Sequence, residues 1–194
     1  MTALDMGDRL AEPTPAEREA ALVAAAITGD EGAFAGLYDL HVDRVYRHVV
    51  YRVGHSQDAE DLTQQVFVQA WRALPRYRQT QTPFIAWLLT IAHNAVVSFY
   101  RRAKPSISIE EAALDWPSDG RIESTTEINV EHERVRRAIL GLKRDQQQVL
   151  TMRFLEDVSY RDIAAAMGRT EANVRLIQHR ALAELRRRMA LEED

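Results

Sequence analysis

Arg175, Leu176 and His179 place a cation, an apolar tip and an imidazole at adjacent and one-turn spacing, which brings them to one side of a helix with Ala172 and Ala183. Such a face suits base edges and phosphates: a guanidinium pairs with guanine and an aliphatic tip meets a thymine methyl. No comparable set offers a reaction. The six histidines, His41, His48, His55, His93, His132 and His179, are scattered, and the recurrence of the first three at sevens fits surface or boundary positions better than a metal set. The sequence holds no phosphate-cradling glycine loop and no nucleophile elbow. No acid, base and nucleophile stand together. The chemistry predicted is recognition, with neither catalysis nor a cofactor.

The elements that must carry that face lie between Ser159 and Arg180, SYRDIAAAMGRTEANVRLIQHR. Ser159 is a helix N-cap with Asp162 three residues on, and Ile163, Ala164 and Met167 follow at helical spacing. Gly168 stands where the first helix must stop, because glycine accepts the left-handed backbone of such a stop. Thr170 caps the next helix, and Glu171 complements its dipole. Val174, Ile177, Ala181, Leu185 and Met189 form the inward side of that helix. The pattern predicts a helix-turn-helix, although an ordinary helical hairpin shares the caps and the glycine.

Composition sets the frame. The chain has 194 residues, 46% hydrophobic and 28% charged, with eight glycines and six prolines, and long apolar-periodic runs favour an all-helical fold. No apolar run is long enough to cross a bilayer, and the N-terminus lacks a secretory pattern. The absence of cysteine excludes disulfides, Cys-ligated zinc and thiol redox sensing. A cytoplasmic protein is expected. The net charge of −4 is not the basic balance of a free-standing DNA binder. Phosphate neutralisation dominates binding to bare duplex, so either a partner holds the chain on DNA or local basic patches suffice.

Along the chain, residues 1–15 read as a loose tail. Helices are predicted from about Ala16 to Ile27, from Asp30 to a stop at Gly54, and from Ser56 to Leu74. In the third, Asp58, Asp61, Gln65 and Arg72 oppose an apolar arc of Leu62, Val66, Phe67 and Trp71. Acids in a first turn also stabilise a helix through its dipole. Pro75 opens a polar loop, RYRQTQTP. Pro83 then starts a fourth helix whose apolar side is Phe84, Trp87, Leu88, Ile91, Ala95 and Phe99. Thr90, Asn94, Val97 and Arg101 make its second stripe, and Arg101, Arg102 and Lys104 its basic end. Tyr77 and Tyr100 lie off the apolar stripe, where they are candidates to stack on bases. Residues 105–126 read as a linker. Val130, Val135, Ile139 and Leu142 mark the next helix, and Val149, Leu150, Met152, Phe154 and Leu155 the one after it. The expected domains are 16–104 and 127–194.

The order of these motifs, DAEDLTQQVFVQAW, then FIAWLLTIAHNAVVSFYRR, then a linker and the helix-turn-helix, resembles the extracytoplasmic-function sigma factors of bacterial RNA polymerase. The resemblance covers about Ala33 to Arg188. It implies a region 2-like and a region 4-like helical domain joined by a flexible linker. The implied partners are core RNA polymerase (clamp and flap), promoter DNA and a cognate anti-sigma factor. Asp58, Asp61, Gln64 and Gln65 match the clamp-contacting helix. Tyr77, Arg78, Gln79, Thr80, Gln81 and Thr82, with Asn94, match the reader of the single-stranded −10 element, where an amide suits an extruded base. Arg101 and Arg102 stand nearby for backbone phosphates. Thr170, Arg175, Leu176, His179 and Arg180 match the −35 helix. The chain departs from the family in three places: RQTQTP lacks the usual glycine and acid, GLKRDQQQVL replaces a leucine-proline start, and Gln178 takes an inward position that is usually apolar.

Two rivals have distinct requirements. A regulator of the response-regulator type needs a phosphoacceptor domain with strands ending in acids. An inhibitor that only docks on polymerase needs no promoter contacts.

Overall fold

The computed structural model describes residues 13–79, 82–103 and 127–191. Among them there are helices and turns and no strand, so these residues hold no sheet of the kind the phosphoacceptor-domain rival needs. Helix α1 (Pro15–Ile27) opens on a capping box: Thr14 Oγ1 accepts from the Glu17 amide at 3.2 Å, and Glu17 Oε2 accepts from the Thr14 amide at 2.7 Å. Helix α2 (Glu31–Val53) is capped by Asp30, whose carboxylate accepts from the Ala33 amide at 2.9 Å, and stops at Gly54, φ +81°. Helix α3 (Ser56–Ala73) runs into a 3₁₀ turn at Leu74–Arg76, where Pro75 cannot continue an α-helix. Helix α4 spans Phe84–Ala103. Helices α5 (Glu127–Leu140) and α6 (Arg144–Leu150) follow, and α6 ends in a π-turn, Thr151–Leu155. Helices α7 (Tyr160–Met167) and α8 (Glu171–Leu191) complete the order.

Helices α1 to α4 pack around Leu37, Val45, Val49, Val66, Leu88, Ala92 and Val96, all fully buried. Each large apolar side chain so enclosed contributes roughly 1.5–3 kcal/mol of transfer free energy. Helices α6 to α8 close around Val149, Met152, Ile163 and Val174, and α4 lends Ala86 and Leu89 to this second core. The two helical groups therefore touch, with one face of α4 as the seam.

The seam has a polar half. Arg52, 1% exposed, donates from NH1 to His93 Nδ1 and from NH2 to Gln147 Oε1, both at 2.8 Å. Gln147 in turn donates to the Leu140 and Leu142 carbonyls at 2.7 and 2.8 Å. At one side Arg44 holds Glu156, Nε to Oε2 at 3.2 Å and NH2 to the backbone carbonyl at 2.8 Å. His93 can accept at Nδ1 only as the neutral Nε2–H tautomer. Burial, helped by the Arg52 charge, holds its pKa well below the ordinary histidine value, and burial also brings His48 down to about 3.

Two expectations are corrected. His41 and His48 are buried, not surface or boundary, because they share the inward side of α2 with Leu37, Val45 and Val49. Phe154 and Leu155 were expected on an apolar helix face, yet they are 59% and 40% exposed. The π-turn inserts extra backbone and rotates them off the inward phase that α6 sets for Val149 and Met152.

Candidate nucleic-acid interface

The helix-turn-helix forms as its caps dictate. Ser159 Oγ accepts from the Asp162 amide at 3.1 Å, Gly168 takes φ +62°, and Thr170 Oγ1 accepts from the Asn173 amide at 3.2 Å. Val174 and Ala181, both fully buried, seat α8 on the core, and Ile177 packs partly against it. That seam turns Arg175, Leu176, His179 and Arg180 outward, all exposed, with Leu176 at 46%. Thr170 is spent as a cap. Gln178 is half-buried. Arg175 lies 3.9 Å from Glu171, and its guanidinium carbon sits 4.0 Å above the centre of the Tyr160 ring. Arg153 approaches the same ring at 5.2 Å.

On α3, Asp61 and Gln64 are exposed while Asp58 and Gln65 are half-buried, and Leu62, Val66 and Phe67 hold the opposite side in the core. The four polar residues thus line one accessible stripe.

The residues expected at the −10 element are divided. Arg78 and Gln79 are exposed, and Gln79 Nε2 donates to the Ala20 carbonyl at 3.1 Å, which ties the loop to α1. Thr82 is half-buried, and Thr80 and Gln81 lie outside the described residues, as does Lys104. Tyr77 is no stacking platform. It is 5% exposed, packs edge-on to Phe84 at 5.8 Å and tilted on Trp87 at 4.8 Å, and donates its hydroxyl to the Thr82 carbonyl. Burial pushes that phenol up to about 12. Tyr100 is likewise enclosed, with its hydroxyl donating to the Arg52 carbonyl at 2.7 Å. Both rings lie off the α4 stripe, but the loop and α2 fold back over them.

Asn94 and Arg101 stand seven residues apart on α4, so they share a face. Arg101 and Arg102 are exposed. Asn94 is not: its Oδ1 accepts from Arg144 NH2 at the start of α6. One turn earlier, Thr90 Oγ1 accepts from Gln148 Nε2 at 3.2 Å. The Thr90 and Asn94 part of the stripe expected to meet a DNA strand is therefore engaged by the second helical group, while Arg101 stays open. Sequence reasoning missed Arg144, Gln147, Gln148 and Tyr160. The one available signal was the departure at GLKRDQQQVL, whose Gln147 and Gln148 are polar residues at buried helix positions.

With this geometry in view, comparisons with known proteins agree along the chain. Residues 37–105 match the Sigma-70 region 2 family, and residues 132–185 match the family described as Sigma-70, region 4. The ECF RNA polymerase sigma factor BldN of Streptomyces coelicolor is 33% identical over 183 residues, covering 92% of this chain and 69% of BldN. ECF sigma factor SigD of Mycobacterium tuberculosis is 32% identical over 179 residues, 88% of this chain and 83% of SigD. Among solved structures, CnrH in complex with the cytosolic domain of CnrY superposes with a TM-score of 0.64 at 24% identity, covering 92% of this chain and 99% of that one, and so shares the fold. The chain belongs to the extracytoplasmic-function sigma factors, the RNA polymerase subunits that direct promoter-specific initiation of transcription.

Proposed function

We propose that this sigma factor grips a promoter at two places, with residues 127–194 reading the −35 duplex through the outer face of α8 and residues 16–104 capturing the −10 strand. The observation that carries the reading is the outward set Arg175, Leu176, His179 and Arg180 above a fully buried Val174–Ala181 seam. A guanidinium paired bidentately with guanine contributes roughly 1–3 kcal/mol of discrimination. On the −10 side Asn94 offers the hydrogen bonds, Arg78, Gln79 and Thr82 border the site, and Arg101 and Arg102 hold phosphates. Asp58, Asp61, Gln64 and Gln65 dock on the polymerase clamp. Strand opening is driven by binding free energy, so the chain is an initiation factor and not an enzyme. It works in the cytoplasm, and a cognate anti-sigma factor restrains it, as the anti-sigma factor NepR is seen in complex with the sigma factor RpoE of Bartonella quintana.

Because Asn94 is bonded to Arg144, capture of the −10 strand follows parting of the two helical groups. Run-off transcription with core enzyme tests the scheme. Asn94→Ala lowers open-complex formation at least several-fold while −35 duplex binding stays unchanged; equal opening by both proteins would remove Asn94 from the mechanism.

A further inference from the structure

We propose that Tyr160 is a positioning residue for base readout: its ring holds the Arg175 guanidinium flat on the surface of the helix-turn-helix before DNA arrives. This rests on the reading of Arg175 as a −35 base contact. The guanidinium carbon is 4.0 Å from the ring centre. An edge-on guanidinium would place that carbon about one C–N bond, roughly 1.3 Å, further out than its nearest nitrogen, so the separation favours a face-on stack. Stacking matters because it occupies the π face of the guanidinium and leaves its in-plane N–H donors for an acceptor. The other neighbour of Arg175, Glu171 at 3.9 Å, competes for those same donors and must release them when a guanine binds. Tyr160 need not move.

The ring is itself fixed. Tyr160 begins α7 directly after the Ser159 cap and packs against the core of Val149, Met152, Ile163 and Val174. Its ring also receives Arg153 at 5.2 Å, and Arg153 is anchored by Asp157 at 2.7 Å and by the Val158 carbonyl at 3.3 Å. A long, mobile arginine at an exposed site is thereby confined by an aromatic that the fold has already immobilised. The gain is entropic preorganisation, which reaches binding as discrimination at one base pair rather than as affinity everywhere.

The test is transcription by the full chain with core polymerase on promoters in which each −35 base pair is replaced in turn. Arg175→Ala flattens the preference at one position and identifies it. Tyr160→Leu, which keeps bulk but has no π face, reduces the preference at that position about three- to fivefold and leaves the other positions as they are. Tyr160→Phe stays within about twofold of wild type, because the ring and its face remain. Three results overturn the proposal: Tyr160→Leu keeping the full preference, Tyr160→Leu lowering every position equally, or Tyr160→Phe failing as badly as Tyr160→Leu. An Arg175→Ala protein that flattens no position removes the underlying reading of Arg175, and that outcome is distinct from the other three.

Discussion

The two surfaces proposed to meet DNA differ in readiness. The outer face of α8 is open to solvent, and its ties among the described residues are local ones, Glu171 and Tyr160 on Arg175. The corresponding face of α4 is occupied: Asn94 is bonded to Arg144, Thr90 to Gln148, and Ala86 and Leu89 are sunk in the core of the other helical group. On the proposed reading, duplex recognition requires no more than the release of Arg175 by Glu171, whereas strand capture first requires the seam to open. The seam is built to be separable. Its apolar half is small, and its polar half encloses Arg52 with neutral partners, His93 and Gln147, where a buried cation is stabilised best by a carboxylate.

The largest break of this asymmetry is Leu89→Asp. Leu89 is fully buried on the seam, and an unpaired carboxylate there costs about 3–5 kcal/mol when the groups are closed. The chain has no cysteine, so dyes placed at Glu60→Cys on α3 and Arg186→Cys on α8, both exposed, report the distance between the groups. Energy transfer falls sharply in the Leu89→Asp protein, binding to a −10 single strand rises, and binding to a −35 duplex changes less than about twofold. Equal gains at both elements would show that the two surfaces are not different in kind.

What could be read from the sequence follows the range of the interactions. Caps at Asp30, Ser159 and Thr170 and stops at Gly54 and Gly168 involve residues within four positions of one another, and all are visible as residue types at fixed offsets. The apolar stripes of α3 and α4 were legible for the same reason, since a 3.6-residue period is local. The seam was not. Arg52 meets Gln147 across 95 positions, and Asn94 meets Arg144 across 50. No periodicity links residues so far apart. Tyr77 and Tyr100 were misread because an off-stripe position on one helix can still be enclosed by a returning loop or a neighbouring helix. Phe154 and Leu155 were misread because a π-turn changes the phase that the apolar pattern presumes. The outward set on α8 was legible, since one helix carries all of it; the ring that steadies Arg175 comes from another helix and was not.

A smaller effect is expected from acid. His48 and His93 are both buried and neutral, with pKa values lowered, so it is the open or unfolded chain that binds the extra protons. Closed-state stability is therefore complete above about 6.5, the ordinary histidine value, and declines as the pH falls below it, by up to about 1.4 kcal/mol per pH unit for each histidine. Glu156 opposes this at lower pH, because burial raises its pKa and its protonation eases the cost of enclosing it. The clean window is consequently the first unit below 6.5. His93→Asn keeps an acceptor for Arg52 and cannot titrate, so energy transfer in that protein declines less steeply between pH 6.5 and 5.5. An unaltered slope would mean that His93 does not titrate with the seam.

The smallest change sharpens the comparison most, because it removes the hydrogen bond on Asn94 and, beyond that, only a cation whose charge is felt by Arg52 and His93. Arg144 is exposed and Asn94 half-buried, so their bond contributes about 0.5–1.5 kcal/mol at most, and water offers Asn94 a replacement. Arg144→Ala leaves the apolar seam, Arg52 and Gln147 in place. Energy transfer between the groups is accordingly close to wild type, while the −10 strand binds about two- to threefold more tightly, since its amide partner no longer has to be released. Arg144→Lys retains a donor of the same charge and sits between the two. If Arg144→Ala opens the groups as fully as Leu89→Asp, this one exposed bond and not the apolar seam holds them together. If neither measurement moves, the cover over Asn94 is the whole α6 backbone, and the competition for its amide is steric rather than chemical.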